Sequence, residues 1–168
     1  MKSFLNSILR WFVKVTYRAV TGMARQYDIK VQPRLQAHGK HKIILASPEL
    51  AKDQIPASVY FNTASGDIIV GSNTVFGEDV KLLTGKHLSR LEALEQGKSL
   101  HDVPNDGRSI VIGKDCYIGS SAVIIGPVQI GDGAVVGAGS IVTKNIEGDC
   151  FYAGNPARKI KSLVKDEQ

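Results

Sequence analysis

Four histidines, His38, His41, His87 and His101, are the side chains best suited to moving a proton near neutral pH. His87 closes the run Thr84-Gly85-Lys86-His87, and His101 precedes Asp102. Neighbouring residues on a strand point to opposite faces, so Asp102 is poorly placed to orient the imidazole beside it. A zinc centre would need three converging histidines and supporting partners, and only His87 and His101 fall near the patterned part of the chain. Near its end, Lys144, Arg158 and Lys159 form a basic group that suits phosphates, or else are ordinary solvated charges. Cys116 and Cys150 do not make a disulfide framework and read as small apolar residues in a reducing compartment.

The elements that must carry these groups show a period of six. From Ile112 a branched aliphatic residue returns at Ile118, Ile124, Ile130, Val136 and Val142. Glycine follows at Gly113, Gly119, Gly131 and Gly137, and the residue two before is small or branched: Ile110, Cys116, Ala122, Val128, Ala134, Ser140. Val70-Gly71, Phe76-Gly77 and Leu82 keep the same phase. Six residues fit one short strand plus one tight turn, the unit of a parallel β-helix. The aliphatic residue and the one two before it then face inward, and Asn73, Asp115 and Asp132 suit turn sites of positive φ. The phase breaks once, between Leu82 and Ile110, and the segment 84–109 holds both His87 and His101. A long insertion into a regular solenoid is usually functional.

Residues 1–42 carry nine Lys/Arg against one acid, Asp28, whereas the rest carries twelve bases and fifteen acids. The net charge of +5 therefore belongs to the N-terminal segment, which argues against a nucleic-acid-binding body. Leu5, Ile8, Phe12, Val15 and Ala19 recur at helical steps, with Arg10, Lys14 and Arg18 on another face and Gly22 as a stop. Such a helix packs on the body or lies on an anionic membrane surface. Three cations interrupt the apolar stretch, so neither a secretory signal nor a span is expected; the expected location is cytoplasmic, peripheral to the inner membrane if the helix anchors. The expected organisation is a helix over 1–22, a β-helix over 23–150 with the insertion 84–109, and a tail or short helix over 151–168.

The run from Ile112 to Lys144 and the tail Ala153-Gly-Asn-Pro-Ala-Arg158 resemble the hexapeptide-repeat acyltransferases, nearest the galactoside and maltose O-acetyltransferases. The resemblance covers roughly 57–161. It implies an all-β, left-handed parallel β-helix, a homotrimer, acetyl-CoA as donor with no metal, and active sites in clefts between subunits. It implies His87 as general base, the Ser120 backbone N–H as oxyanion donor, Asn62 (after Phe61) in the acceptor pocket, and Gly119, Ala138, Gly139, Thr143, Lys144, Arg158 and Lys159 along the donor. His101 is expected in the acceptor pocket, and Asn62 could instead be a turn residue. The insertion is longer than in the galactoside enzymes and the N-terminal helix differs from theirs, so a sugar or glycan acceptor is expected without its identity. The alternatives are a zinc enzyme like the γ-class carbonic anhydrases and a non-catalytic scaffold.

Overall fold

The computed structural model describes residues 36–46 and 54–164, together with Ile8, Trp11, Phe12, Val15 and Thr16. It divides into two units, Met1–Pro33 and Arg34–Gln168. In the first unit the five described residues are helical, and the Thr16 hydroxyl donates to the Phe12 carbonyl at 2.9 Å. The remaining positions expected in this helix, Leu5, Ala19 and Gly22 among them, lie outside the described residues.

The second unit is a stack of very short strands. They are β1 (Gln36–Gly39), β2 (Ile43–Leu45), β3 (Tyr60–Thr63), β4 (Ile68–Val70), β5 (Val75–Phe76), β6 (Lys81–Leu83), β7 (Ile110–Ile112), β8 (Tyr117–Ile118), β9 (Val123–Ile125), β10 (Val128–Ile130), β11 (Val135–Val136), β12 (Ile141–Val142), β13 (Cys150–Ala153) and β14 (Arg158–Ser162). Three sheets result: β1-β3-β6-β9-β12, β2-β4-β7-β10, and β5-β8-β11-β13-β14. Successive strands change sheet at each corner, and every pairing is parallel except β13 with β14. Val123 pairs with Ile141 and Ile110 with Val128, so a full coil is eighteen residues, three hexads. Coils therefore rise by one strand spacing, about 4.8 Å.

The hexad phase holds. Ile118 and Ile124 are fully buried and Ile130 nearly so, and Cys116, Ala122, Ala134 and Ser140 fill the second inward position. In β4, β7 and β10 both inward residues are branched, as with Ile110 and Ile112. The turns keep register as well: Asn73 and Asp115 have positive φ, and at the third expected site the left-handed residue is Gly133, one coil of eighteen residues after Asp115, and not Asp132. Asp132 instead turns its carboxylate onto the Lys114 N–H at 3.0 Å, stapling that corner to the coil before it.

The expected C-terminal helix is absent from the described residues. Arg158–Ser162 is strand β14, folded back antiparallel on β13. The last coil leaves the edge of the third sheet open, and a returning strand satisfies backbone groups that a helix would leave facing solvent.

Candidate active site

The insertion leaves the prism after β6 and returns at β7, so it occupies the corner between the first and second sheets. Its base is tightly bonded. Thr84 is buried; its hydroxyl donates to the Asn62 carbonyl at 2.9 Å and accepts from the Ser65 N–H at 3.1 Å. Gly85 then passes so close to Asn62 and Ala64 that a Cβ there would lie 2.9 Å from the Asn62 amide oxygen and 2.8 Å from the Ala64 Cβ. That amide oxygen accepts from the Ala64 N–H at 3.0 Å, so Asn62 serves its own turn and also lines the strand entering the insertion. At the far end, Arg108 reaches back across the gap: its Nε donates to the Thr84 carbonyl at 2.7 Å and its Nη2 to the Gly126 carbonyl one coil on.

His87 stands exposed just beyond this base. Its Nδ1 lies 3.0 Å from the backbone carbonyl of His101. A carbonyl only accepts, so Nδ1 carries the proton and the neutral ring presents its lone pair at Nε2. The Leu88 N–H donates to the Asp102 carbonyl at 3.0 Å, which fixes the two arms of the insertion side by side. The His101 ring meets His87 edge to face, with centroids 6.4 Å apart. The Asp102 carboxylate accepts from the Ser99 N–H at 2.9 Å and caps its own turn.

Between these arms sits a short helix, α1 (Arg90–Gln96), in a segment whose sequence shows no hexad pattern. Ser89 and Glu92 form a reciprocal capping box, and Gly97 ends the helix at a φ of 60°. Glu92 is held at a pKa of about 2, first by the Ser89 backbone N–H, then by the Ser89 hydroxyl and Lys86. Lys86 bonds both Glu92 oxygens, at 3.0 and 3.2 Å, so the residue before His87 is tethered to the helix. On the other side, His41 Nε2 approaches the Asn105 carbonyl at 2.7 Å and Lys40 donates to the Asn105 side chain at 3.1 Å. These contacts dock the return arm on the first coil.

The expected donor-side residues form two groups. Gly119, Ser120, Ala138 and Gly139 stack on the corner between the third and first sheets, where the Gly139 N–H donates to the Ser120 carbonyl at 2.8 Å. A Cβ on Gly119 would come within 2.5 Å of the Ala138 nitrogen, so only glycine keeps this corner flat. Thr143, Lys144, Arg158 and Lys159 instead share a groove of about 290 Å³ at the last coil, with Asn145 and Tyr152. Lys159 is paired there with Glu147 at 2.6 Å, a bond that raises the lysine pKa and lowers that of the carboxyl. Lys144 and Arg158, like Lys159, are exposed in this groove.

One chain thus brings His87, His101 and Asn62 to one corner and leaves Ser120 on a different one. Sequence reasoning did not find Arg108, which carries no motif, or the Ser89–Glu92 box, whose Ser-x-x-Glu spacing was a readable signal. Among the described residues no group of three or more His, Cys, Asp or Glu could hold a metal ion.

Residues 109–144 match the family model for the hexapeptide repeat of succinyl-transferase. A protein of Lysinibacillus sphaericus named as a probable macrolide acetyltransferase is 30% identical over 135 residues, which cover 73% of each chain. A protein of Escherichia coli (strain K12) bearing the name of a colanic acid biosynthesis acetyltransferase, WcaF, is 28% identical over 96% of this chain and 84% of its own. Two further relatives are matched over only 28% and 45% of their own length, so the chain spans less than half of each. Among solved structures, the hexapeptide-repeat-containing acetyltransferase of Vibrio cholerae O1 biovar eltor, crystallised with acetyl coenzyme A, superposes with a TM-score of 0.56 at 25% identity. That superposition covers 81% of this chain and 68% of the other. The shared architecture is the left-handed parallel β-helix.

Proposed function

The chain belongs to the hexapeptide-repeat acyltransferases, and on that premise we propose that it transfers an acetyl group from acetyl-CoA to a hydroxyl of a sugar or glycan intermediate. One observation carries the reading: the His101 carbonyl holds His87 Nδ1 at 3.0 Å and so turns a basic Nε2 outward at the mouth of the insertion. In the proposed reaction Nε2 takes the acceptor hydroxyl's proton as its oxygen attacks the thioester carbonyl carbon. The tetrahedral oxyanion is met by the Ser120 backbone N–H. The carbon–sulfur bond then breaks, and His87 returns the proton to the departing thiolate. Asn62 and His101 would contact the acceptor. Gly119, Ala138 and Gly139 would border the pantetheine arm, and Thr143, Lys144, Arg158 and Lys159 the phosphates. The three exposed cations of the 290 Å³ groove, Lys144, Arg158 and Lys159, fit a polyanionic donor.

His87 and Ser120 occupy different corners of one prism, so the proposed site needs a second chain to bring an oxyanion corner to a histidine corner. An outward ladder on the third sheet, Val75–Tyr117–Val135–Phe151, supports such an assembly, since Val75 and Tyr117 are exposed in the single chain. The proposed assembly is a homotrimer, and sedimentation at micromolar concentration is expected to return three times the chain mass. A fully active monomer would overturn the shared site.

The sugar or glycan acceptor is favoured by the near full-length match to the protein named for colanic acid biosynthesis. The deciding assay follows free coenzyme A release from acetyl-CoA with nucleotide sugars, polyprenyl-linked glycans, a macrolide and chloramphenicol. Release dependent on a saccharide is expected. Release with the antibiotics alone would overturn the acceptor class, and no release with any acceptor would overturn the transferase reading.

A further inference from the structure

We propose that the N-terminal helix docks on the surface of an anionic lipid bilayer. Ile8, Trp11, Phe12 and Val15 recur at steps of three, one and three, which on a helix is a single stripe. All four are exposed, Trp11 at 64% and Phe12 at 57%. Four large apolar side chains on one helical stripe mark a surface that something covers.

Charge selects the occupant. Residues 1–21 contain Lys2, Arg10, Lys14 and Arg18 and no acid, and the three arginine and lysine positions 10, 14 and 18 keep a four-residue step. A second copy of residues 1–21 would bring four more cations and no acid, so it offers these charges no complement. An anionic bilayer answers both features at once: the acyl boundary takes the apolar stripe and the headgroups take the cations. Trp and Phe are the side chains that settle at the interface between headgroups and acyl chains. Arg10, Lys14 and Arg18 interrupt the apolar stretch, which suits a helix that lies in the surface plane rather than one that crosses the bilayer.

The chain supplies its own probe, because Trp11 is its single tryptophan. The experiment records Trp11 emission and co-sedimentation of the full chain with vesicles of phosphatidylcholine alone and of phosphatidylcholine with phosphatidylglycerol, at low and high salt. Emission of an exposed indole is expected without lipid, with a blue shift and co-sedimentation on the anionic vesicles at low salt that fade as salt rises. Phe12→Asp is expected to abolish both signals. Arg10→Gln, Lys14→Gln and Arg18→Gln should each weaken vesicle binding by roughly fivefold, with the far-UV signal of the β-helix unchanged as the folding control. Equal binding to both vesicle types, or none to the anionic ones, overturns the proposal. Emission already blue-shifted in lipid-free protein overturns it too, and its dilution dependence tells whether a second copy or the chain's own body covers the stripe.

Discussion

The Arg108 Nε donates to the Thr84 carbonyl oxygen at 2.7 Å, so the last residues of the insertion are tied to its first. The same guanidinium serves the Gly126 carbonyl, and the Arg108 N–H donates to the Ser65 carbonyl at 3.0 Å. Burial pushes the Arg108 pKa down from its ordinary value, opposed by the Glu92 carboxylate, yet a guanidinium remains charged. This is a fork across a loop neck, and one point charge on a flexible stem does not replace it.

Arg108→Ala is therefore expected to destabilise the fold by about 1.5–3 kcal/mol, the range for hydrogen bonds from a charged donor. Hydrogen exchange of the Lys86–Leu88 amides should accelerate more than exchange in β9 or β12. Arg108→Lys should recover part of the stability and little of the protection. Unchanged exchange at Lys86–Leu88 in the alanine variant would show that the neck is held by Thr84 and Asn62 alone.

Regularity decided what could be read before the structure. The hexads from Ile110 to Val142 fixed the inward face because each coil repeats the same steric problem. The place of the insertion followed from where that repetition stops. At the third turn aspartate and glycine both suit positive φ, but the eighteen-residue step from Asp115 lands on Gly133, and Asp132 instead sets its carboxylate on the Lys114 N–H. Helix α1 is legible only from its ends, Ser89, Glu92 and Gly97, since seven residues are too few for periodicity to speak. Strand β14 was unreadable for another reason: its residues are all exposed, and its partner is an open sheet edge formed elsewhere in the chain. Arg108 belongs with it, because its two carbonyl partners lie 24 and 18 residues away.

Ile124 tests the solenoid. It is fully buried in β9, between Leu82 and Val142 of the adjacent coils. Ile124→Asp would bury a carboxylate between Leu82 and Val142, at a cost of several kcal/mol. A thermal melt should show loss of the cooperative transition or a steep fall in its midpoint. A variant melting with the parent would mean that position 124 faces outward.

Glu92 gives the insertion a pH dependence. Its folded pKa, about 2, lies below the ordinary value of 4.5 because the Ser89 N–H, the Ser89 hydroxyl and Lys86 all favour the carboxylate. A depressed carboxyl pKa stabilises the fold above its unfolded value, and that contribution is lost as pH falls from about 4.5 through about 2. Amide protection in α1 should therefore decline across that window while the coils stay protected. A carboxyl titration by NMR should place the Glu92 midpoint near the lower value, and Glu92→Gln should remove the window. A Glu92 midpoint near 4.5 would show that the capping box is open in solution.

The functional reading rests most heavily on His87. Under it, His87→Ala removes the general base and should lower kcat by about 10²–10⁴-fold, or roughly 3–5 kcal/mol of barrier. The KM for acetyl-CoA should barely change, because the proposed donor contacts lie at Gly139, Lys144 and Arg158, away from the imidazole. His101→Ala is the informative control. His87 is oriented by the His101 backbone carbonyl rather than by its ring, so truncating the side chain leaves that hydrogen bond available and should be far milder. Removing the carbonyl's position, by deleting residues 99–101, should instead cost nearly as much as His87→Ala. If His101→Ala abolishes turnover while His87→Ala retains it, the base is the His101 imidazole and the hydrogen bond from His87 Nδ1 serves only to close the loop.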